Sequence, residues 1–243
     1  MAEKFVDWMA APAGAAWLDI GCGTGALTAT ILAHVEPASV VGIDRSADFA
    51  AHASAHVHDR RVVFLVADAA ALPLTATRAD VVVSGLLLNF LPDPHAAVRE
   101  LRRVARPGAA VAAYVWDYAD GMRPIRAFWD AAIELAPSAR ELDEAVRFPL
   151  CEPGELERVF SGAGLLATTT RAIEAEAEFA SFDDYWTPFL SGVGPAPGYC
   201  AALPVEQREA LREHLRARLS PDGGPFSMSV RAFAVRGTAP PGE

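Results

Sequence analysis

The sequence contains very little lysine and few cysteines. Lys4 is the only lysine in 243 residues, and it lies in an N-terminal stretch. No lysine is therefore placed to serve a Walker motif or a buried Schiff base. Pyridoxal enzymes, P-loop NTPases and kinases are therefore excluded. The three cysteines, Cys22, Cys151 and Cys200, have neither CxxC spacing nor an even number for pairing, which argues against a zinc site and a disulfide framework. This use of cysteine fits a reducing cytoplasm.

Basic charge and long apolar runs are also scarce. Lysine and arginine number 21 against 31 aspartates and glutamates, and the formal net charge of −10 would repel a phosphate backbone. We therefore expect no nucleic acid partner. No run approaches the ~20 apolar residues of a membrane helix, so we expect a cytoplasmic protein without a membrane partner. At 52% hydrophobic and 21% charged residues, the chain can still bury a full core.

What is present in the first half is a regular alternation of apolar runs and helix-like stretches, which predicts a parallel sheet with helices on both faces. The runs are apolar at nearly every residue, as expected for strands covered on both sides. The predicted strands span residues 15–20, 39–43, 62–66, 80–84, 109–116, 165–173 and 226–235. The predicted helices span residues 26–35, 47–56, 94–104, 153 to about 162, and 204–219, and the tail from 237 to 243 is predicted to be disordered.

These elements predict an α/β fold with a doubly wound, mostly parallel seven-stranded sheet and an inserted helical cap. Residues 1–116 would form the Rossmann-like core and 117–204 the cap with a core helix and strand. Residues 205–243 would complete the sheet. The cap contains five aromatic residues, Trp116, Tyr118, Trp129, Tyr185 and Trp186. They could form an apolar pocket for a small molecule, although core packing is the favoured interpretation.

The segment LDIGCGTG, residues 18–25, runs from a predicted strand through a glycine turn into a helix. Alone it is a weak signal, because the spacing also satisfies the GxGxxG/A dinucleotide fingerprint. Three acids strengthen it. Asp19 lies in the motif, Asp44 closes the second strand 19 residues beyond Gly25, and Asp68 closes the third. A carboxylate at the position of Asp44 can accept both hydroxyl protons of a ribose.

With these residues the chain resembles the class I S-adenosylmethionine-dependent methyltransferases, in the type 11-like branch of small bacterial enzymes that act on small molecules. The resemblance extends from about residue 5 to 237. The motifs on which it rests are LDIGCGTG, VVGIDRS (40–46), VADAAALPL (66–74), SGLLLNFLPDP (84–94), RVARPGA (103–109), FDDYW (182–186) and GVGPAP (192–197).

The resemblance implies S-adenosylmethionine as cofactor and a small-molecule acceptor. The residue matching Asp19 positions the methionine amino group, that matching Asp44 holds the ribose hydroxyls, and that matching Asp68 contacts the adenine amine. Residues 84–89 would line the sulfonium and the acceptor. The cofactor-binding residues implied in this way are Asp19, Gly21, Cys22, Gly23, Thr24, Gly25, Asp44, Arg45, Asp68, Ala69, Ser84 and Leu86.

Methyl transfer is an in-line displacement on an activated carbon, for which alignment alone can supply ~7 to 11 kcal/mol. No dedicated catalytic group is required. The candidates are Asn89, where related enzymes often carry histidine, and Asp117 and Tyr118, which follow the fifth strand at the ligand-binding edge. Cys22 is interpreted as a small buried filler rather than a nucleophile. The histidines lack ligand spacing, so we expect no metal.

Two alternatives remain. The chain could bind the donor without catalysis, as a partner or regulatory protein, or it could be an NAD-dependent oxidoreductase. The latter is less favoured, because Lys4 cannot supply a Tyr-x-x-x-Lys relay. The residues after the fourth predicted strand also lack the Asn/Asp-Pro-Pro-aromatic sequence of nucleic acid methyltransferases. Related chains usually have a further helix upstream of the segment matching residues 5–8. The sequence leaves a monomer and a homodimer open.

Overall fold

The computed structural model describes residues 1–75 and 79–241. Its strands are β1 (Ala16–Ile20), β2 (Ser39–Asp44), β3 (Val62–Val66), β4 (Ala79–Gly85), β5 (Ala105–Trp116), β6 (Leu166–Phe179) and β7 (Phe226–Thr238). Its α-helices are α1 (Ala2–Met9), α2 (Ala26–His34), α3 (Ala47–His56), α4 (Pro94–Val104), α5 (Arg123–Leu135), α6 (Glu144–Arg147), α7 (Pro153–Gly162), α8 (Phe182–Trp186), α9 (Pro195–Ala202) and α10 (Val205–Leu219). Short 3₁₀ turns lie at Leu88–Phe90, Pro137–Leu142, Pro149–Cys151 and Thr187–Ser191.

The seven strands form one sheet in the order β3-β2-β1-β4-β5-β7-β6. β1 pairs in parallel with β2 and β4, and the β2–β3 and β4–β5 pairs are also parallel. β7 runs antiparallel to β5, because Gly108 donates to the carbonyl of Ala239 while Asp117 donates to that of Arg231. The strand order reverses at β1 and β4, where ligands bind in open α/β sheets. The predicted doubly wound, mostly parallel fold is thus confirmed.

The predictions for the covering of the strands and for the chain end are wrong. β3 is an edge strand and is not covered on both faces, since Val63 and Val66 are 57% and 56% exposed. An apolar run therefore does not distinguish an edge strand from a central one. The chain end predicted to be disordered includes Gly237 and Thr238 of β7, and Ala239 exchanges two backbone hydrogen bonds with Gly108 and Ala109. Residues 242 and 243 lie outside the described part.

The chain divides into two compact units. The first comprises Met1–Val115, Glu152–Ile173 and the end of the chain from Phe233. The second comprises Trp116–Cys151 and Glu174–Ala232, so α10 belongs to it, whereas the predicted boundaries group that helix with the strand completing the sheet. Trp129, Tyr185 and Trp186 lie in the buried core of the second unit, which is the interpretation favoured by their sequence pattern.

The first unit begins with α1, which buries Phe5, Val6 and Met9. Arg236 fixes its last turn by donating to the carbonyl of Trp8 at 3.0 Å, and its guanidinium lies 4.9 Å from the Trp8 ring centre. Within residues 1–75 and 79–241, no helix has the length and apolar character needed to cross a membrane.

Candidate cofactor site

The turn between β1 and α2 brings main chain close to the loop after β4. Gly21 has φ +75°, and a Cβ on it would lie 2.5 Å from Cδ2 of Leu87. Glycine is needed there for both the backbone angle and the space. The N–H groups of Gly21 and Cys22 donate to the carbonyl of Ile43 at 2.7 and 3.0 Å. The turn is therefore anchored to the end of β2.

Asp44, the last residue of β2, holds this turn from the other side. Its Oδ2 accepts from the N–H of Gly23 at 3.0 Å, and its Oδ1 accepts from the N–H of Ser46 at 2.8 Å. Ser46 in turn caps α3 by accepting from the N–H of Phe49. These bonds fix the carboxylate at the carboxyl edge of the sheet.

Asp68 follows the end of β3 and is exposed. Its Oδ1 accepts from the N–H of Ala70 at 2.8 Å, which closes a tight turn, and its carbonyl accepts from the N–H of Ala71. The preceding residue, Ala67, donates to the carbonyl of Asp44 at 3.0 Å. The ends of β2 and β3 are therefore joined directly.

Asp19 is fully buried on β1, directly behind the glycine turn. Its Oδ2 accepts from the hydroxyl of Thr28 at 2.7 Å, whereas its Oδ1 has no hydrogen-bond partner among the described residues. Burial raises the pKa of Asp19 to about 6. The site thus contains a buried acid with an acceptor oxygen still to be satisfied, and such an oxygen favours a donor, above all a cationic one.

A cavity of about 220 Å³ lies between these loops. Its walls include several of the predicted residues, namely Gly21, Asp44, Arg45, Asp68 and Ala69. Other predicted residues lie outside its lining: Asp19, Cys22, Gly23, Thr24, Gly25, Ser84 and Leu86. The lining also contains Leu87, from the predicted stretch 84–89, and residues that sequence reasoning did not assign to the cofactor: Ile43, Ala67, Ala70, Leu91, Pro92 and Asp93.

The apolar side of this cavity comes from the loop after β4 and the start of α4. Leu87 falls within the predicted stretch 84–89, but Leu91, Pro92 and Asp93 lie beyond it. The side chain of Asp93 accepts from the N–H of Ala96 at 2.9 Å and caps α4, which explains its position independently of any ligand. These residues form the apolar side of the cavity because the start of α4 lies near the ends of β2 and β3, a proximity that the sequence does not predict.

The residues present fit S-adenosylmethionine. The cavity combines carboxylates with an apolar wall, the close approach at Gly21 brings main chain to its edge, and the unpartnered Oδ1 of Asp19 calls for a cationic donor. Cys22 does not act as a nucleophile in this setting, because burial and the nearby carboxylates raise the pKa of its thiol. Its buried position agrees with the interpretation as a filler.

The three catalytic candidates have different surroundings. In the first unit, Asn89 lies in the 3₁₀ turn after β4 with its Nδ2 buried and without a partner among the described residues. In the second unit, Asp117 is 2% exposed and forms an ion pair with Arg231 at 2.6 Å. Tyr118 is buried, and burial raises the pKa of its phenol. Asp117 and Tyr118 therefore have surroundings typical of packed structure.

Comparison with known proteins agrees with this geometry. The family model described as a methyltransferase domain matches residues 18–113. A demethylmenaquinone methyltransferase from Roseiflexus sp. (strain RS-1) is 32% identical over 171 residues, which make up 64% of this chain and 70% of that protein. The chain belongs to the S-adenosylmethionine-dependent methyltransferases. This chain covers only 26% to 40% of the length of three further curated relatives.

Solved structures share the fold of this methyltransferase. The YcgJ protein from Bacillus subtilis has 18% identity and a TM-score of 0.65, with 99% of this chain and 98% of that one covered. Phosphoethanolamine N-methyltransferase 2 from Haemonchus contortus, solved with S-adenosylmethionine, has 17% identity and a TM-score of 0.60, with 98% and 51% covered. At these identities the likeness shows the fold alone, and family membership identifies S-adenosylmethionine as the cofactor.

Proposed function

We propose that this methyltransferase binds S-adenosylmethionine in the cavity beside Asp44 and transfers its methyl group to a small-molecule acceptor. The proposal rests mainly on the carboxylate of Asp44, which lines the cavity and is fixed by two backbone N–H groups. A carboxylate held in this way is preorganised to accept from ribose hydroxyls. The bound cofactor supplies an electrophilic methyl group on its sulfonium.

The remaining cofactor contacts are assigned on the same basis. Asp19 would stabilise the ammonium group of the methionine moiety, because it is a buried acid with an unpartnered oxygen. Asp68 would face the adenine amine from the cavity wall, and Leu87 and Leu91 would cover the adenine ring. These residues bind and orient the cofactor and exclude water from it, which is the main task of the protein in an in-line displacement.

The acceptor is proposed to be a small molecule with an apolar body, as the name of the Roseiflexus relative indicates for that protein. The net charge of −10 disfavours nucleic acid. We place the protein in the cytoplasm, because its three cysteines are buried and unpaired. A monomer and a homodimer both stay open. No general base is assigned, since Asp117 is engaged by Arg231.

Calorimetric titration with S-adenosylmethionine, S-adenosylhomocysteine and NAD tests the cofactor assignment. We expect the wild type to bind both adenosyl ligands and Asp44→Ala to lose at least about tenfold in affinity, since its charged hydrogen bonds to ribose are each worth about 1.5 to 3 kcal/mol. Asp48→Ala is the matched control, because Asp48 is exposed on α3 and does not line the cavity. Saturable binding of NAD alone would overturn the proposal.

Turnover separates catalysis from binding. Formation of S-adenosylhomocysteine with pooled small-molecule acceptors, including reduced quinones, is expected for the wild type and reduced for Asp44→Ala. Binding without any turnover over a broad acceptor set would instead favour a protein that binds the donor without catalysis.

A further inference from the structure

Asp19 and Thr28 form a buried pair behind the cofactor cavity. Both residues are fully buried, and the hydroxyl of Thr28 donates to Oδ2 of Asp19 at 2.7 Å. The second oxygen, Oδ1, has no hydrogen-bond partner among the described residues. The hydroxyl therefore fixes one carboxylate oxygen, while the other is buried without a partner among the described residues.

The start of α2 favours the charged form of Asp19. The helix begins after Gly25, which has no side chain to cap it. The backbone N–H of Thr28 lies in the first turn, where helix N–H groups lack intrahelical partners, and its proximity lowers the pKa of Asp19. The carboxylate thus lies near the start of the helix, where the helix dipole stabilises a negative charge.

The other surroundings of Asp19 favour its neutral form. Burial is the largest effect and raises the pKa to about 6, and the charge of Asp44 on β2 raises it further. Cys22 of the turn and Tyr114 of β5 also face this carboxylate, and burial raises the pKa of each, so both are neutral near pH 7. The hydroxyl of Thr28, which donates to Oδ2, opposes these effects.

We propose that Thr28 is a positioning residue for the cofactor, whose hydroxyl keeps Asp19 ionised and oriented to bind the α-ammonium group of the methionine moiety. The inference rests on the proposed function, because it assigns that ammonium group to Asp19. It adds a specific role for α2 and makes cofactor affinity dependent on pH near 6. Protonation of Asp19 removes the negative charge that the ammonium group requires.

Two ligands separate this role from a general effect on the cavity. S-adenosylhomocysteine carries the ammonium group, whereas 5′-methylthioadenosine has the adenosyl part and lacks the amino acid. We expect Thr28→Val to weaken S-adenosylhomocysteine binding about tenfold at pH 7, because it removes a hydrogen bond to a charged group. The loss should shrink at pH 8.5, where more Asp19 is ionised. Binding of 5′-methylthioadenosine should stay within about twofold.

Two further variants serve as controls. Thr28→Ser retains the hydroxyl and should restore binding to near the wild-type value. Thr30→Val makes the same substitution two residues along α2, where the hydroxyl donates to the carbonyl of Ala26, and should leave both affinities unchanged. Circular dichroism checks the fold of each variant. Independently of any variant, the wild type should bind S-adenosylhomocysteine more weakly as the pH falls from 7 to 5, with little change for 5′-methylthioadenosine.

The outcomes distinguish the two levels of the proposal. A wild type that binds neither ligand overturns the proposed function and this inference together. A wild type whose affinity for S-adenosylhomocysteine does not change with pH, or is not altered by Thr28→Val, overturns the role of Thr28 alone. If Thr28→Val weakened the binding of both ligands equally, that would also contradict the role of Thr28, since it would indicate a distorted cavity.

Discussion

Gly14 and Gly21 have nearly the same backbone angle in different surroundings. Their φ values are +74° and +75°, but a Cβ on Gly14 would meet nothing within 4 Å, whereas one on Gly21 would collide with Leu87. Substitution by alanine therefore imposes the same backbone strain of ~1 to 2 kcal/mol at both positions. Any additional loss of stability at Gly21 is therefore caused by the close contact with the loop after β4.

We expect Gly14→Ala to lower the melting temperature modestly and to leave S-adenosylhomocysteine binding intact. Gly21→Ala should lower it further and weaken binding at least about tenfold, because the turn must move away from Leu87 and thereby alters the cavity. Thermal unfolding and calorimetry on the two variants measure both effects. Equal behaviour of the two variants would show that backbone strain, rather than the contact, determines the need for glycine.

At the same scale, the sequence predicted the acids of the site better than its apolar wall. Asp44 and Asp68 were identifiable because each lies at or just after the end of a strand, and strand ends meet at one edge of a parallel sheet. Leu91 and Pro92 belong to the motif SGLLLNFLPDP (84–94), but they lie beyond residues 84–89, to which the lining was assigned. Their position depends on how the segment before α4 folds back towards β2 and β3, which is a property of the tertiary structure.

Among the elements, the loop between β5 and α5 is held to β7 by one arginine. The carbonyl of Arg231 accepts from the N–H of Asp117 and its N–H donates to the carbonyl of Gly121, while its guanidinium pairs with Asp117 and Asp120. Asp117 is buried and also accepts from the N–H of Asp120. A buried carboxylate in this arrangement depends on its partner, because an unpaired buried charge is strongly unfavourable.

We expect Arg231→Met to lower the free energy of unfolding by roughly 3 kcal/mol, because it leaves the charge of Asp117 uncompensated. Adding Asp117→Asn should recover most of this loss, since the amide oxygen can still accept from Asp120 and carries no charge. Arg123→Met is the matched control: Arg123 pairs with Asp120 at an exposed site, so its loss should be below about 1 kcal/mol. Urea denaturation gives the double-mutant cycle, and an additive double variant would contradict the coupling.

The strands show where pattern alone is insufficient. The predicted bounds of β3 match the structure, yet Val63 and Val66 are exposed because no strand lies beyond β3 in the sheet. β5 begins four residues earlier than predicted, at Ala105, which pairs with Ala79 of β4. Gly108, with φ +78°, lies within the strand rather than before it. Pairing partners thus extend an element past residues that favour a turn.

For the whole molecule, the acid with the clearest consequence for pH dependence is Asp19. Its pKa is about 6 in the fold against 3.8 without perturbation, so the native state binds more protons than the unfolded state between these values. The contribution of Asp19 to the free energy of unfolding of the ligand-free protein is therefore largest below this window and decreases as the pH rises through it, by about 3 kcal/mol. Glu144, whose pKa burial also raises, contributes with the same sign.

Cofactor binding has the opposite pH dependence, because the ammonium group prefers ionised Asp19. The increase in melting temperature produced by a fixed, saturating concentration of S-adenosylhomocysteine should therefore be small at pH 5 and larger at pH 7. Asp19→Asn should reduce the pH dependence of the ligand-free protein in this range and weaken the stabilisation at every pH. Glu144 contributes to the pH dependence of the stability of the ligand-free protein. It does not contribute to the increase in melting temperature that the ligand produces. An increase in melting temperature that is the same at pH 5 and pH 7 would mean that the charge of Asp19 does not act on the cofactor.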